Sequence, residues 1–297
     1  MKPIDYKSVS LKEGFWKRVR ALNATVSLKN IYRRFEETGR FDAIRCERRE
    51  KPPHIFYDSD VAKWLEAAAY LQADYPDQDV RAIIDETVRT IVKNQLPCGY
   101  FNSFYQVYQP DKIFMERTEH ELYCAGHLIE AAVALDKCGV NSDLLPAMCR
   151  YADYIFERFY VCRDTGFTTC GHPEIELALV RLYEHTGEKN YLTLAKYFLD
   201  ERGKRAEEIY PNMDRAYDQS HMPVREQRDA VGHSVRALYL YSAMADVGRL
   251  TGDEELLTAC RALYDDIVCT KLYITGGVGS GWYGERFTIP YDLPNAE

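Results

Sequence analysis

The chain has 297 residues, enough to bury a sizeable apolar core, and 46% hydrophobic against 28% charged residues is the balance of a globular protein rather than a disordered or fibrous one. A net charge of -8 argues against nucleic acid as a partner, because polyanion binding needs a clustered basic surface, and the basic run Arg45, Arg48, Arg49, Lys51 is broken by Glu47 and Glu50. No run is apolar for long enough to span a bilayer and the opening residues lack the core of a signal peptide, so no membrane partner is expected and the cytoplasm is the default compartment.

Apolar residues recur at helical spacing through most of the sequence and no sustained period-two stretch rich in β-branched residues occurs, which predicts an all-α chain. An N-terminal helix is expected around residues 24 to 38. From Asp58, a plausible cap, DSDVAKWLEAAAYL places Val61, Trp64, Leu65, Ala68 and Ala69 on one face, and a second helix runs from about Asp79 to Asn94. The next pair begins at HELYCAGHLIEAAVAL, with Leu122, Ala125, Ile129, Ala132 and Val133 as its stripe, and continues in LLPAMCRYADYIFERF. A third pair opens at Pro173 and its first helix stops at Thr186-Gly187, while a fourth opens near Asp229.

LYEHTGEKNYLTLAKYF and GRLTGDEELLTACRALY share T-G-acidic-x-x-[YL]-L-T, so helical hairpins repeat. Such hairpins stack into an open solenoid or a closed α/α toroid, since one pair cannot bury its own apolar face. The nine cysteines form no C-x-x-C and no adjacent pair, so neither a zinc ribbon nor a redox dithiol is visible, and most are expected to be buried thiols.

A polar residue recurs once per hairpin. Asp60, His120, His172 and His233, followed by Glu285, are separated by 60, 52, 61 and 52 residues. In a toroid the equivalent ends of the inner helices meet at one mouth, so these side chains are expected in a shared pocket. Histidine both donates and accepts hydrogen bonds at neutral pH, which suits a sugar hydroxyl or a proton shuttle. His127 is read as structural, His185 as remote from the mouth, His54 as a surface residue of a Pro-containing loop, and His221 as ambiguous. In the glycine-rich tail ITGGVGSGWYGERFTIPYDLPN, Trp282 and Tyr283 precede Glu285, and a carboxylate partly desolvated by aromatic neighbours has the raised pKa a general acid needs. Phe101, Asn102 and Ser103 are further candidates for the mouth, against an ordinary turn role.

FYDSDVAKWLEAAAYL, GYFNS, HELYCAGHLIEAAVAL, GHPEIELALVRLY, AVGHSVRALYLY and ITGGVGS with GERF and YDLPN together resemble glycoside hydrolase family 127, over the whole chain. The resemblance implies an (α/α)6 barrel and a retaining β-L-arabinofuranosidase acting on oligosaccharides. Glu285 matches its acid/base glutamate, and His120, His172 and His233 match residues that hold the arabinose. It also implies zinc as cofactor, with a zinc-bound cysteine thiolate as nucleophile.

The sequence departs from that pattern where the family supplies its metal: no E-T-C segment and no Cys-Cys pair follows YDLPN, so residues 1–297 are expected to form one helical domain, an incomplete barrel, inactive alone, with no metal ligand assigned. Such a domain should self-associate or pair with a missing C-terminal half. Two other readings compete. A barrel epimerase could use His120 and His233 as acid and base, and a non-catalytic glycan-binding or assembly module needs no chemistry at all.

Overall fold

In the computed structural model, which describes residue 4 and residues 6–295, the helical spacing is realised hairpin by hairpin. Helix α1 (Phe15–Leu22) runs through a wider π-turn (Asn23–Ser27) into α2 (Leu28–Glu37), and the single turn α3 (Arg40–Ala43) follows. The first hairpin pairs α4 (Tyr57–Gln72) with α5 (Gln78–Asn94). After the short α6 (Tyr105–Tyr108), α7 (Glu121–Lys137) pairs with α8 (Leu144–Phe156). Then α9 (Ile175–Thr186) pairs with α10 (Lys189–Glu201), and α11 (Ser234–Thr251) with α12 (Glu254–Asp266). Among the described residues, β-pairing is limited to isolated bridges.

The shared T-G-acidic motif has a direct structural meaning. Gly187 and Gly252 take left-handed conformations (φ 80° and 71°) that end α9 and α11, at little cost for a residue without Cβ. The acidic residue that follows then caps the next helix: Glu188 accepts the Asn190 N–H at 3.0 Å and Asp253 accepts the Leu256 N–H at 3.0 Å. One short motif therefore reverses the chain twice in the same way.

The first helices of the hairpins pack in succession, α4 on α7, α7 on α9 and α9 on α11, with the second helices behind them. This is the inner and outer layering of an α/α toroid. Helix α7 sits in the middle of the inner layer, and nearly every residue from Glu121 to Leu135 is buried, including His127 and Glu130. At the N-terminal side, Trp64 of α4 donates from Nε1 to the Leu28 carbonyl at 3.0 Å, tying α2 to the first hairpin.

Several predicted boundaries shift. The N-terminal helix starts earlier, at Phe15. Asp58 lies inside the first turn of α4, buried, and accepts the Ser103 N–H at 2.8 Å instead of capping its own helix. The fourth hairpin opens at Ser234 rather than near Asp229, because hydrogen bonds from Gln219 and Gln227 hold residues 227–233 as a loop in which Arg228 and Asp229 stay exposed. Of the nine cysteines, Cys124 and Cys170 are buried, whereas Cys98, Cys162 and Cys269 are exposed.

Two buried arginines fasten the loops that lead into the inner helices. Arg117 donates to the Thr169 carbonyl at 2.8 Å and pairs with Asp218, and Arg202 donates to the carbonyls of Asp218 at 2.9 Å and Cys170 at 2.8 Å. Three loops, before α7, before α9 and before α11, are thereby held as one body. Apolar side chains stay exposed at two places, Phe15, Trp16, Leu22 and Ile31 on α1 and α2, and Ile274, Trp282, Ile289 and Tyr291 in the C-terminal segment. No helix is long and apolar enough to cross a membrane among the described residues.

Candidate active site

The three histidines of the once-per-hairpin pattern meet. His120 and His233 are the N-cap residues of α7 and α11, and His172 lies just before α9. The His120 and His172 rings are 5.6 Å apart and the His172 and His233 rings 5.8 Å apart, and His233 Nε2 lies 2.9 Å from Glu285 Oε2. Four residues separated by up to 165 positions thus form one continuous row.

Their hydrogen-bond partners fix which nitrogens carry protons. His172 Nδ1 is 2.9 Å from the Pro173 carbonyl, which can only accept, so Nδ1 donates and Nε2 keeps its lone pair. His233 Nδ1 accepts the Arg236 backbone N–H at 3.4 Å, so its proton sits on Nε2 and is donated to Glu285. Burial, followed by the charge of Arg236, pushes His120 down to about 3 and His172 well below the ordinary imidazole range. The same two causes lower His233, opposed by the Glu285 carboxylate. All three rings are therefore neutral hydrogen-bonding groups at neutral pH.

Arg236 is the fixed cation behind this row. It is buried, donates from Nη1 to the Gly171 carbonyl at 2.6 Å, and lies over the Tyr210 and Tyr217 rings at 4.5 and 4.9 Å. Tyr123 closes the opposite side, with its ring 4.3 Å from His172 and its hydroxyl accepting from Lys63 Nζ at 2.7 Å. Sequence reasoning passed over both residues. The available signal was spacing, since Tyr123 and Arg236 each follow a site histidine by three positions and so share its helix face.

Glu285 reaches the row from a different kind of support. It has a left-handed backbone (φ 50°), between Gly284 (φ 73°) and Arg286, which makes isolated bridges to His233 and Gly281. The Glu285 carbonyl accepts both the N–H and the hydroxyl of Ser234, at 2.9 and 3.0 Å, and the Phe287 N–H bonds to the Gly232 carbonyl at 2.9 Å. Gly279 passes so close that a Cβ there would lie 2.5 Å from Ser234 Oγ.

Other expectations need correction. The Glu285 side chain is 75% exposed, and Trp282 and Tyr283 pack edge-to-face on each other at 6.0 Å on the surface, so the aromatic desolvation expected of them is absent. Phe101, Asn102 and Ser103 are buried, and Asn102 Oδ1 accepts the N–H groups of Phe104 and Tyr105, which makes the segment a turn and not part of the mouth. Asp60 is held by Arg40 at 2.6 Å and does not join the row. His185 pairs with Asp136 at 2.7 Å, His54 is exposed, and His221 faces the charges of Asp214 and Asp218. His127 is buried, yet neither ring nitrogen has a partner.

Comparison with known proteins identifies the family of the chain. The family model described as "Beta-L-arabinofuranosidase, GH127 catalytic domain" matches residues 8–297. The non-reducing end β-L-arabinofuranosidase of Bifidobacterium longum subsp. longum is 40% identical over 261 residues, which is 81% of this chain and 40% of that protein. Among solved structures, a GH127 β-L-arabinofuranosidase from Geobacillus stearothermophilus T6 superposes with a TM-score of 0.91 at 40% identity, covering 96% of this chain and 49% of that one. A second GH127 β-arabinofuranosidase gives 0.90 at 35% identity, covering 99% and 48%. The chain thus spans less than half the length of each of these relatives.

Proposed function

Because the chain belongs to the GH127 β-L-arabinofuranosidase catalytic-domain family, we propose that it forms the sugar-binding and acid/base part of a retaining glycoside hydrolase that removes terminal β-L-arabinofuranose from oligosaccharides. The observation that carries this reading is the row His120, His172, His233 and Glu285, with ring spacings of 5.6 and 5.8 Å and a 2.9 Å contact from His233 to the carboxylate.

Each group has a distinct task on this reading. His172 Nε2, with its lone pair free, accepts a hydroxyl proton of the bound sugar, and His120 offers a second neutral ring beside it. His233 donates from Nε2 to Glu285 Oε2, which leaves Oε1 to carry the catalytic proton. That proton passes to the glycosidic oxygen as the C1–O bond breaks and a nucleophile not among the described site residues bonds to C1, and the resulting carboxylate then takes a proton from the water that displaces that nucleophile. Bound sugar also covers Glu285, so the desolvation that suits a general acid arises in the complex.

The zinc–thiolate nucleophile that the resemblance implies does not fit the described residues. Their one group of three metal-capable side chains, His127, Glu130 and Glu174, holds no cysteine, and no step is derived through such a metal. The cysteines are all thiols, which suits a reducing compartment and supports a cytoplasmic enzyme. The exposed apolar groups of α1, α2 and the C-terminal segment are the surfaces through which the chain would self-associate or meet another part of the enzyme.

The test is hydrolysis of aryl β-L-arabinofuranosides with leaving groups of graded pKa. In the enzyme that carries this part together with the part that supplies the nucleophile, Glu285→Gln should lose about a hundred-fold or more of kcat/KM for poor leaving groups and far less for dinitrophenolate, which needs no protonation. Equal loss for both would remove Glu285 from the acid role, and cleavage of other glycosides in preference to this one would overturn the substrate class.

A further inference from the structure

Beneath the histidine row lies a second polar group that the proposed hydrolysis does not use. His127 and Glu130 stand three residues apart on one face of α7, and Glu174, the N-cap residue of α9, folds its carboxylate against that face. Gly126 makes the approach possible, since a Cβ there would fall 1.4 Å from Glu174 Oε2. His127 Nδ1 and Glu174 Oε1 are 3.7 Å apart, and one ligand atom from each of the three side chains lies within 4.8 Å of the others.

These groups are 3%, 7% and 0% exposed, in the order His127, Glu130, Glu174. Neither nitrogen of His127 has a hydrogen-bond partner, and the Glu174 carboxyl has only the Glu130 carboxylate beside it, a pair of acceptors that can bond only by holding a proton between them. Buried polar atoms are ordinarily satisfied, so an unpartnered imidazole facing two apposed carboxyl groups points to something that belongs between them. The local charge points the same way. Glu66 of α4 faces Glu130 and Glu174, and the facing cations are Arg181, which bonds Glu130 at 2.6 Å, and Lys63, which is engaged with Tyr123.

We propose that His127, Glu130 and Glu174 bind one first-row divalent cation of the manganese or zinc class. A tetrahedral ion about 2.1 Å from each ligand separates neighbouring ligand atoms by about 3.4 Å, close to the observed His127–Glu174 contact. One imidazole with two carboxylates and no thiolate suits such an ion. Arg181 then acts on the outer side of Glu130, orienting the carboxylate. The ion would join α7 to α9 directly under Tyr123 and Tyr239, whose rings lie 4.5 and 5.7 Å from His127 and 4.3 and 6.0 Å from His172.

The competing occupant is a proton. Burial first, and then the charge of Glu130, raise the Glu174 carboxyl far above its ordinary range, so without a cation it is neutral and can share its proton with Glu130. That arrangement leaves both nitrogens of His127 unsatisfied. Binding of the cation must displace the proton, which gives a second readout.

The experiment is titration of metal-stripped protein with Mn2+, chosen because thiols compete for it weakly, followed by the free-ion EPR signal, the proton released and the melting temperature. The expected result is one saturable ion per chain, a raised melting temperature and release of about one proton. Glu174→Gln and His127→Gln should each weaken binding by about ten-fold or more, while Glu254→Gln on the surface leaves it unchanged. If one of the first two variants does not fold, the other carries the comparison. Absence of saturable binding, or binding in both variants as tight as in the parent, overturns the site, as does a crystal soaked in Mn2+ with no anomalous peak between the three side chains.

Discussion

The histidine row and the Glu285 loop meet at a 2.9 Å contact, yet they are built in opposite ways. His172 and His233 are at most 7% exposed, are placed by the ends of packed inner helices, and are backed by the buried Arg236. Glu285 has a 75% exposed side chain and a left-handed backbone held by bonds to Ser234 and bridges at Arg286. On the proposed reading, the wall that would grip the sugar is part of the core, whereas the proton carrier would be delivered by a loop. Binding and stability should therefore be coupled on one side of the contact and separable on the other.

The sharpest way to break this contrast is Glu285→Gln. The rate loss of about a hundred-fold or more for poor leaving groups should come with a melting temperature within about 2 °C of the parent, since the change removes no buried contact. A large drop in stability would mean that the loop is as integral as the wall. His172→Ala should do the reverse, weakening sugar binding by about ten-fold or more and lowering stability by about 1–3 kcal/mol, because it leaves the Pro173 carbonyl unpaired and a void against Tyr123. Calorimetric titration with arabinofuranoside and chemical denaturation measure both numbers on one sample.

A smaller effect separates the wall's own acids from its imidazoles. Burial raises the Glu121 carboxyl from 4.5 to about 8, although Tyr100 and the Phe114 N–H stabilise its charge. The folded state holds this proton where the unfolded state has lost it, so stability falls as pH rises from 4.5 to about 8. His120 and His127, lowered from 6.5 to about 3, act in the other window, and stability falls as pH drops below 6.5. Glu121→Gln should remove up to about 1 kcal/mol per pH unit from the alkaline slope and leave the acid slope unchanged. Denaturant midpoints between pH 4 and 9 would reveal a mistaken assignment if both slopes moved together.

The same contrast explains what could be read from residues alone. Helix pairing was legible because burial on one face imposes a 3.6-residue period, and the stops at Gly187 and Gly252 are local chemistry. The histidines were legible because equivalent ends of repeated hairpins converge. Asp58 was misread as a cap because its partner, Ser103, is 45 residues away. His127 was read as structural and Glu130 passed over because α7 is enclosed on all sides, so polar residues along it break no amphipathic pattern, while Glu174 meets them only through the fold, from the start of α9. Trp282 and Tyr283 misled in the other direction, since aromatic composition says nothing about which way an exposed loop turns its rings.

The central claim is that three imidazoles and one carboxylate bind a single sugar ring, and nitrogen NMR of the histidine side chains during titration with methyl β-L-arabinofuranoside tests it most directly. The free protein should show His172 protonated at Nδ1 and His233 at Nε2, and the resonances of His120, His172 and His233 should move together along one saturation curve while His185, tied to Asp136, stays still. Different saturation curves for the three rings, or shifts no larger than those of His185, would contradict it.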